Sequence, residues 1–165
     1  MKKILIISVF LVLIGGYFLF KKEVPVSSFE ECVEAGYPVM ESYPRRCLDF
    51  VEEIGNELEK RDLIILNSPR PNQVIESPLL IEGEARGFWF FEADFPIVII
   101  DGKGEVIGEG IAFAKSEWMT ENFVPFQSEI EFKRPETEKG TLILFKDNPS
   151  GLPEHDDQLI IPVRF

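Results

Sequence analysis

Cys32 and Cys47 are the residues of this chain best suited to covalent chemistry, and they stand fifteen positions apart with no third cysteine. In an oxidising compartment, a bridge closing a loop of that size contributes about 3 kcal/mol in the chain-entropy picture. Two thiolates do not make a structural zinc site, and His155 is the only histidine. A Cys₂His₂ set is therefore excluded, although one completed by carboxylates is not. A disulfide is the expected state, ahead of free thiols and of a metal site. Acid–base or nucleophilic catalysis needs a base near the operating pH beside a positioned nucleophile. His155 has no paired Ser or Cys motif, and no phosphate-cradling glycine loop or HExxH helix occurs. Carboxylate pairs could hydrolyse a glycoside, but 29 acidic residues make any one pairing uninformative. No catalytic residues, no cofactor and no enzyme activity are expected. A hydrolase using loop carboxylates such as Asp156 is the outlying alternative.

Two other stretches could hold a ligand. The loop from Asp147 to Asp157 gathers Asp147, Glu154, Asp156 and Asp157 among Pro149, Gly151 and Pro153. These oxygens suit Ca²⁺, but EF-hand spacing is absent, and a solvated loop ordered by its Pro and Gly is the plainer expectation. Phe88, Trp89, Phe90 and Phe91 cannot all face one core if the segment is extended, and Trp118, Met119, Phe123 and Phe126 add further apolar surface. Trp89, Phe91, Trp118 and Phe126 are candidates for a ligand platform, such as a stacking surface for cell-wall glycan. The competing expectation is that these rings close the end of a core.

The elements carrying these residues differ sharply along the chain. Residues 4–20 contain no charge and are bracketed by Lys2-Lys3 and Lys21-Lys22. At ~1.5 Å per residue they reach ~25 Å, enough for one transmembrane pass with snorkelling lysines. A cleaved signal peptide lacks a good processing site, and Cys32 lies too far beyond the apolar run for lipidation. All 29 acidic residues follow the run, whereas four of the 17 basic ones flank it. Lys2 and Lys3 bias the tail inward, so the C-terminal part is expected outside the cytoplasm. So acidic a remainder would be repelled by phosphate backbones, which excludes nucleic acid as a partner. The expected partners are the membrane, through residues 4–20, and an envelope protein or cell-wall polymer.

Residues 1–22 read as the anchor and 23–49 as a linker with a Cys-stapled segment. Within the latter, Ser28 and Glu31 have the form of a capping box, and Gly36 closes the short helix. Residues 50–62, with Phe50, Ile54 and Leu58 four apart but Gly55 and Asn56 between them, read as a second linker. From Leu63 the period becomes two. Strands are expected at Leu63–Asn67, Leu79–Ala85, Ile97–Ile100, Glu105–Phe113, Glu129–Lys133, Thr141–Phe145 and Leu159–Phe165, with a hairpin at Asp101-Gly102-Lys103-Gly104. Pro162 places the last of these at an edge, or with its nitrogen facing away from a partner strand. Seven short strands without helices predict an all-β, immunoglobulin-like two-sheet sandwich over 63–165, with a small barrel as the runner-up.

Several pieces occur in one order: Ser68-Pro69-Arg70-Pro71-Asn72, Ser77-Pro78-Leu79, Gly83-Glu84-Ala85, Trp118-Met119, Phe123-Val124-Pro125-Phe126, Asp147-Asn148-Pro149-Ser150-Gly151 and Ile161-Pro162-Val163. Together they resemble the immunoglobulin-like domain family named from bacterial spore-germination proteins, over about residues 64–165. The resemblance implies a β-sandwich in secreted or anchored bacterial proteins, accessory to other domains and with no established catalytic residues. Only about 60 residues precede the match, so the larger germination domain that often accompanies it is not expected here. The reading that follows is a non-catalytic, membrane-anchored binding or scaffolding module of the bacterial envelope.

Overall fold

The computed structural model describes residues 25–165. The expected anchor, residues 4–20, lies outside them, and no helix among the described residues is long and apolar enough to cross a membrane. The chain divides between Glu52 and Glu53 into two compact units.

In the first unit, helix α1 spans Phe29–Glu34. Ser28 caps it, its Oγ accepting from the Glu31 N–H at 3.1 Å. The Glu31 carboxylate does not return to Ser28, as a capping box requires. It accepts instead from the Ser27 N–H and hydroxyl at 2.7 and 2.8 Å, which hold its pKa below the ordinary carboxylate range. At the other end Gly36 takes φ +77°, and Gly36 and Tyr37 donate their N–H groups to the carbonyls of Val33 and Cys32. This satisfies orphan carbonyls in the Schellman manner. Three two-residue strands follow, β1 (Val39–Met40), β2 (Arg46–Cys47) and β3 (Phe50–Val51), paired antiparallel in that order. Cys32 and Cys47 form the expected disulfide, their Cα atoms 6.0 Å apart and both fully buried beside Phe29. Arg45 grips buried Glu52 through two side-chain hydrogen bonds of 2.9 and 2.6 Å and lies 5.4 Å from the Phe29 ring centroid. The core of so small a unit is the disulfide and Phe29, with Val26, Tyr37, Val39 and Phe50 packed against them.

The second unit holds seven strands: β4 (Ile64–Ser68), β5 (Leu79–Arg86), β6 (Asp94–Asp101), β7 (Val106–Ala114), β8 (Phe123–Ile130), β9 (Lys139–Phe145) and β10 (Gln158–Arg164). Seven is the number that the alternation predicts. The fifth strand lies earlier than expected, because Phe123 and Phe126 belong to β8 and residues 131–133 follow its end. The two expected sheets are also joined. The ladder runs without a break in the order β10-β9-β6-β7-β8-β5-β4. It folds where β7 and β8 pair over only Phe113↔Gln127 and Ala114↔Phe126, leaving a four-stranded leaf (β10-β9-β6-β7) facing a three-stranded one (β8-β5-β4). Phe95 of β6 and Phe126 of β8 meet across the space between the leaves, edge to face at 4.9 Å. Around them Ile64, Leu66, Ile81, Ile97, Ile99, Leu142, Leu144, Leu159 and Ile161 are all fully buried. At ~1.5–3 kcal/mol per large apolar side chain, this single core dominates the stability of the unit.

The stretch 53–62, expected as linker, is ordered on this unit. Ile54 is buried, and helix α2 (Glu57–Lys60) packs on β4 and β10. Asn56 closes the outer edge of β10: its Oδ1 accepts from the Ile160 N–H at 2.7 Å, its Nδ2 donates to the Gln158 carbonyl at 2.9 Å, and its own N–H donates to the Ile160 carbonyl. Further along that edge, Asn72 and Ile75 donate to the carbonyls of Pro162 and Arg164, and Arg164 donates to Gln73. Pro162, which has no N–H, sits where none is needed. The edge thus presents no free ladder groups for strand addition.

Candidate binding surface

The β-sandwich buries two of the four proposed platform rings. Trp89 lies in a 3-10 turn, Gly87–Trp89, fully buried, with its Nε1 lacking a hydrogen-bond partner. Phe126 is core. Trp118 is half-buried against that core, and only Phe91 of the four is exposed. These rings are therefore not one stacking surface. Trp89 ends the 3-10 turn with its indole inward, and β8 alternation turns Phe126 inward as well.

Nor do the loop carboxylates converge. Among the described residues no group of three or more His, Cys, Asp or Glu could hold a metal ion. Asp157 is committed to Lys60 and to the Gln158 N–H, and Asp156 accepts from Asn148 at 2.7 Å. Glu154 sits in the exposed 3-10 turn Pro153–His155. Asp147 points elsewhere: its N–H donates to the Trp89 carbonyl, and burial, followed by the charges of Asp94 and Glu92, raises its pKa. His155 is exposed in the same turn, and its carbonyl accepts from Lys146.

The surface that stands out was not singled out from sequence. In β6, β9 and β10 the inward residues are Phe95, Ile97 and Ile99, then Leu142 and Leu144, then Leu159, Ile161 and Val163. The residues between them point outward, yet they are apolar too: Pro96, Val98 and Ile100; Ile143 and Phe145; Ile160 and Pro162. On β7 the outward set includes Ile111 and Phe113, 47% and 56% exposed. Register brings these side chains into rows, since directly paired residues share a face. Ile160 pairs with Ile143 and Ile143 with Val98; Pro96 pairs with Ile111, and Ile100 pairs with both Thr141 and Val106. The opposite leaf behaves differently. The outward residues of β5 are Leu80, Glu82, Glu84 and Arg86, and β8 adds Gln127 and Glu129, with Gln127 donating to Glu82. One leaf is thus apolar inside and largely polar outside, as a solvated antiparallel sheet should be, whereas the other is apolar inside and largely apolar outside, interrupted by Glu109 beside Val98 and Thr141 beside Ile100.

The two ends of the apolar face carry opposite charge. At one end Asp94 pairs with Phe113, and Phe91 and Asp94 close a two-residue turn through Glu92 (φ +54°) and Ala93 (φ +69°). Both central residues take the left-handed conformation of a type I′ turn without the Asn or Gly that tolerates it. Asp147, with its raised pKa, joins Asp94 and Glu92 there. At the other end Lys139 and Arg164 are register partners, both outward and exposed. The signal for this face was present in sequence as the unbroken apolar runs Phe95–Ile100 and Leu159–Val163, where a half-exposed strand would alternate.

Comparison with curated proteins and with solved structures gives no match. Gmad2, the immunoglobulin-like domain of bacterial spore germination, matches residues 63–152. That span runs from the start of β4 through β9, and β10 completes the leaf beyond it. With more than half its length matched and six of the seven strands of the β-sandwich within the matched residues, the chain belongs to the family of immunoglobulin-like domains of bacterial spore germination.

Proposed function

We propose that this chain is a non-catalytic binding or scaffolding module of the bacterial envelope, held to the membrane by residues 4–20 with its β domain outside the cytoplasm. The observation that carries the binding role is the four-stranded leaf with apolar residues on both faces. Exposed apolar surface of this extent is costly in water unless something covers it. The placement is supported by the lysine-bracketed apolar run and by the Cys32–Cys47 disulfide, which suits an oxidising compartment.

The test uses the full chain cross-linked in native membranes. Ile111→Glu, on the apolar face, is expected to abolish the cross-linked product, and Leu80→Glu, on the outer face of the opposite leaf, to leave it intact. Equal products from both variants would remove the binding role. Placement is read separately by alkylation: Cys32 and Cys47 should resist a thiol reagent until reductant is added, and free thiols in untreated cells would overturn the extracytoplasmic assignment.

A further inference from the structure

Where β9 ends and β10 begins beside helix α2, the β domain carries an open groove of about 660 Å³. That lies within the ~300–1,000 Å³ typical of ligand sites. Phe145 of β9 and its register partner Gln158 of β10 line it from the sheet, and Asn56, Glu59 and Lys60 line it from the α2 side. The loop between the two strands completes it with Lys146, Asp156 and Asp157. The groove is held in shape by its own contacts. Lys60 pairs with Asp157 at 2.5 Å, tying helix to loop, Asn56 is fixed on β10 by its amide, and Asp156 accepts from Asn148. A site so preorganised loses little to ordering when a ligand enters. The side chains of Glu59 and Gln158, by contrast, have no hydrogen-bond or ionic partner among the described residues.

The chemistry of the lining selects the ligand. Glu59, Asp156 and Asp157 bring carboxylates and Lys60 and Lys146 bring ammonium groups, so a ligand of either charge sign meets its like. A purely apolar ligand would take water from these groups and return no hydrogen bond. A peptide adding by its main chain needs ladder groups, and those on the outer edge of β10 are taken by Asn56, Asn72, Gln73 and Ile75. A neutral saccharide suits every side of the groove. Its hydroxyls both donate and accept, which matches the carboxylate of Glu59, the amide of Gln158 and the ammonium of Lys146 together. The C–H face of a sugar ring finds the half-buried ring of Phe145.

We infer that this groove is a saccharide-binding site, which takes a neutral segment of a glycan with one sugar ring against Phe145 and hydroxyls on Glu59 and Gln158. The inference rests on the extracytoplasmic placement of the β domain, where such polymers lie, and not on what covers the apolar face. It is a different site from the four rings Trp89, Phe91, Trp118 and Phe126, none of which lines the groove.

The experiment uses the full chain in detergent and three probes: peptidoglycan sacculi by cosedimentation, and soluble oligosaccharides of N-acetylglucosamine and of glucose by calorimetric titration. Saturable binding to at least one probe is expected. Phe145→Ala and Gln158→Ala should each weaken it about tenfold, and Leu80→Glu, on the outer face of the opposite leaf, should leave it unchanged. Gln158→Ala keeps the backbone bonds of β10 and Glu59→Ala changes an exposed side chain, so these two variants remain informative if Phe145→Ala fails to fold. Binding to none of the three probes overturns the saccharide site. Binding that Gln158→Ala and Glu59→Ala leave at wild-type strength overturns its location in this groove. Either result leaves the membrane cross-link lost in Ile111→Glu where it stands, so failure of the groove and failure of the apolar face are read separately. Free thiols at Cys32 and Cys47 in untreated cells would in turn remove the placement on which the groove's ligand depends.

Discussion

Replacing Asn56 tests whether the segment ahead of the first long strand is part of the β domain. Its amide makes two hydrogen bonds to the outer edge of β10, at 2.7 Å from the Ile160 N–H and 2.9 Å to the Gln158 carbonyl. Each such bond contributes about 1 kcal/mol net, so Asn56→Ala should cost about 2 kcal/mol, less where water reaches the edge. At ~2–4 °C per kcal/mol for a chain of this size, the midpoint of thermal unfolding falls by ~4–8 °C. Asn56→Asp keeps the acceptor but sets a carboxylate against the Gln158 carbonyl. It should be at least as damaging as alanine at neutral pH and should recover as pH falls through the carboxylate range, where the protonated acid can donate again. Fluorescence-detected urea unfolding of the full chain provides the assay, because both tryptophans, Trp89 and Trp118, lie in this unit and Trp89 is fully buried. A change below about 0.3 kcal/mol for both variants would show that residues 53–62 behave as a linker and that the edge-closing role is wrong.

Three further outcomes follow from the site geometry. Ala93→Gly, at φ +69° in the Phe91–Asp94 turn, should stabilise the chain by about 1 kcal/mol in urea unfolding, because the left-handed conformation no longer strains a side chain. Asp147 has its pKa raised by burial and by Asp94, so its ionisation opposes folding: its contribution is present below the ordinary aspartate range and is lost as pH rises through the folded value. Asp147→Asn should therefore raise the melting temperature at neutral pH, with the difference from wild type vanishing in acid. Trp89→Ala should cost about 3–5 kcal/mol by opening a core cavity. Peptidoglycan cosedimentation of the protein that remains folded should be unchanged, since that indole is fully buried.

The fold was legible wherever one face of a strand is solvated. Leu79–Arg86 alternates apolar and polar residues and folds as that pattern dictates, and Ser28 and Gly36 bound a real helix. Legibility failed where periodicity gave way to tertiary context. Phe123 and Phe126 read as added apolar surface and not as part of a strand, yet residues 123–130 form β8 and Pro125 is tolerated inside it. Its missing N–H faces β7, where the ladder is only two pairs long, and its carbonyl accepts from Lys115 there. Residues 50–62 looked like linker because Gly55 and Asn56 weaken a helix. Their role is instead to bring an amide onto a strand more than one hundred residues away. The binding face was visible as unbroken apolar runs, but without register a run over two faces cannot be told from a simple buried strand.

The binding role of the four-stranded leaf is tested most directly by placing a photo-activated cross-linking residue at Ile111 in one form of the full chain and at Glu82 in another, both in living cells. An adduct from position 111 and none from position 82, which lies on the polar outer face of the opposite leaf, is the expected result. No adduct at position 111, or equal yields at the two positions, would contradict it.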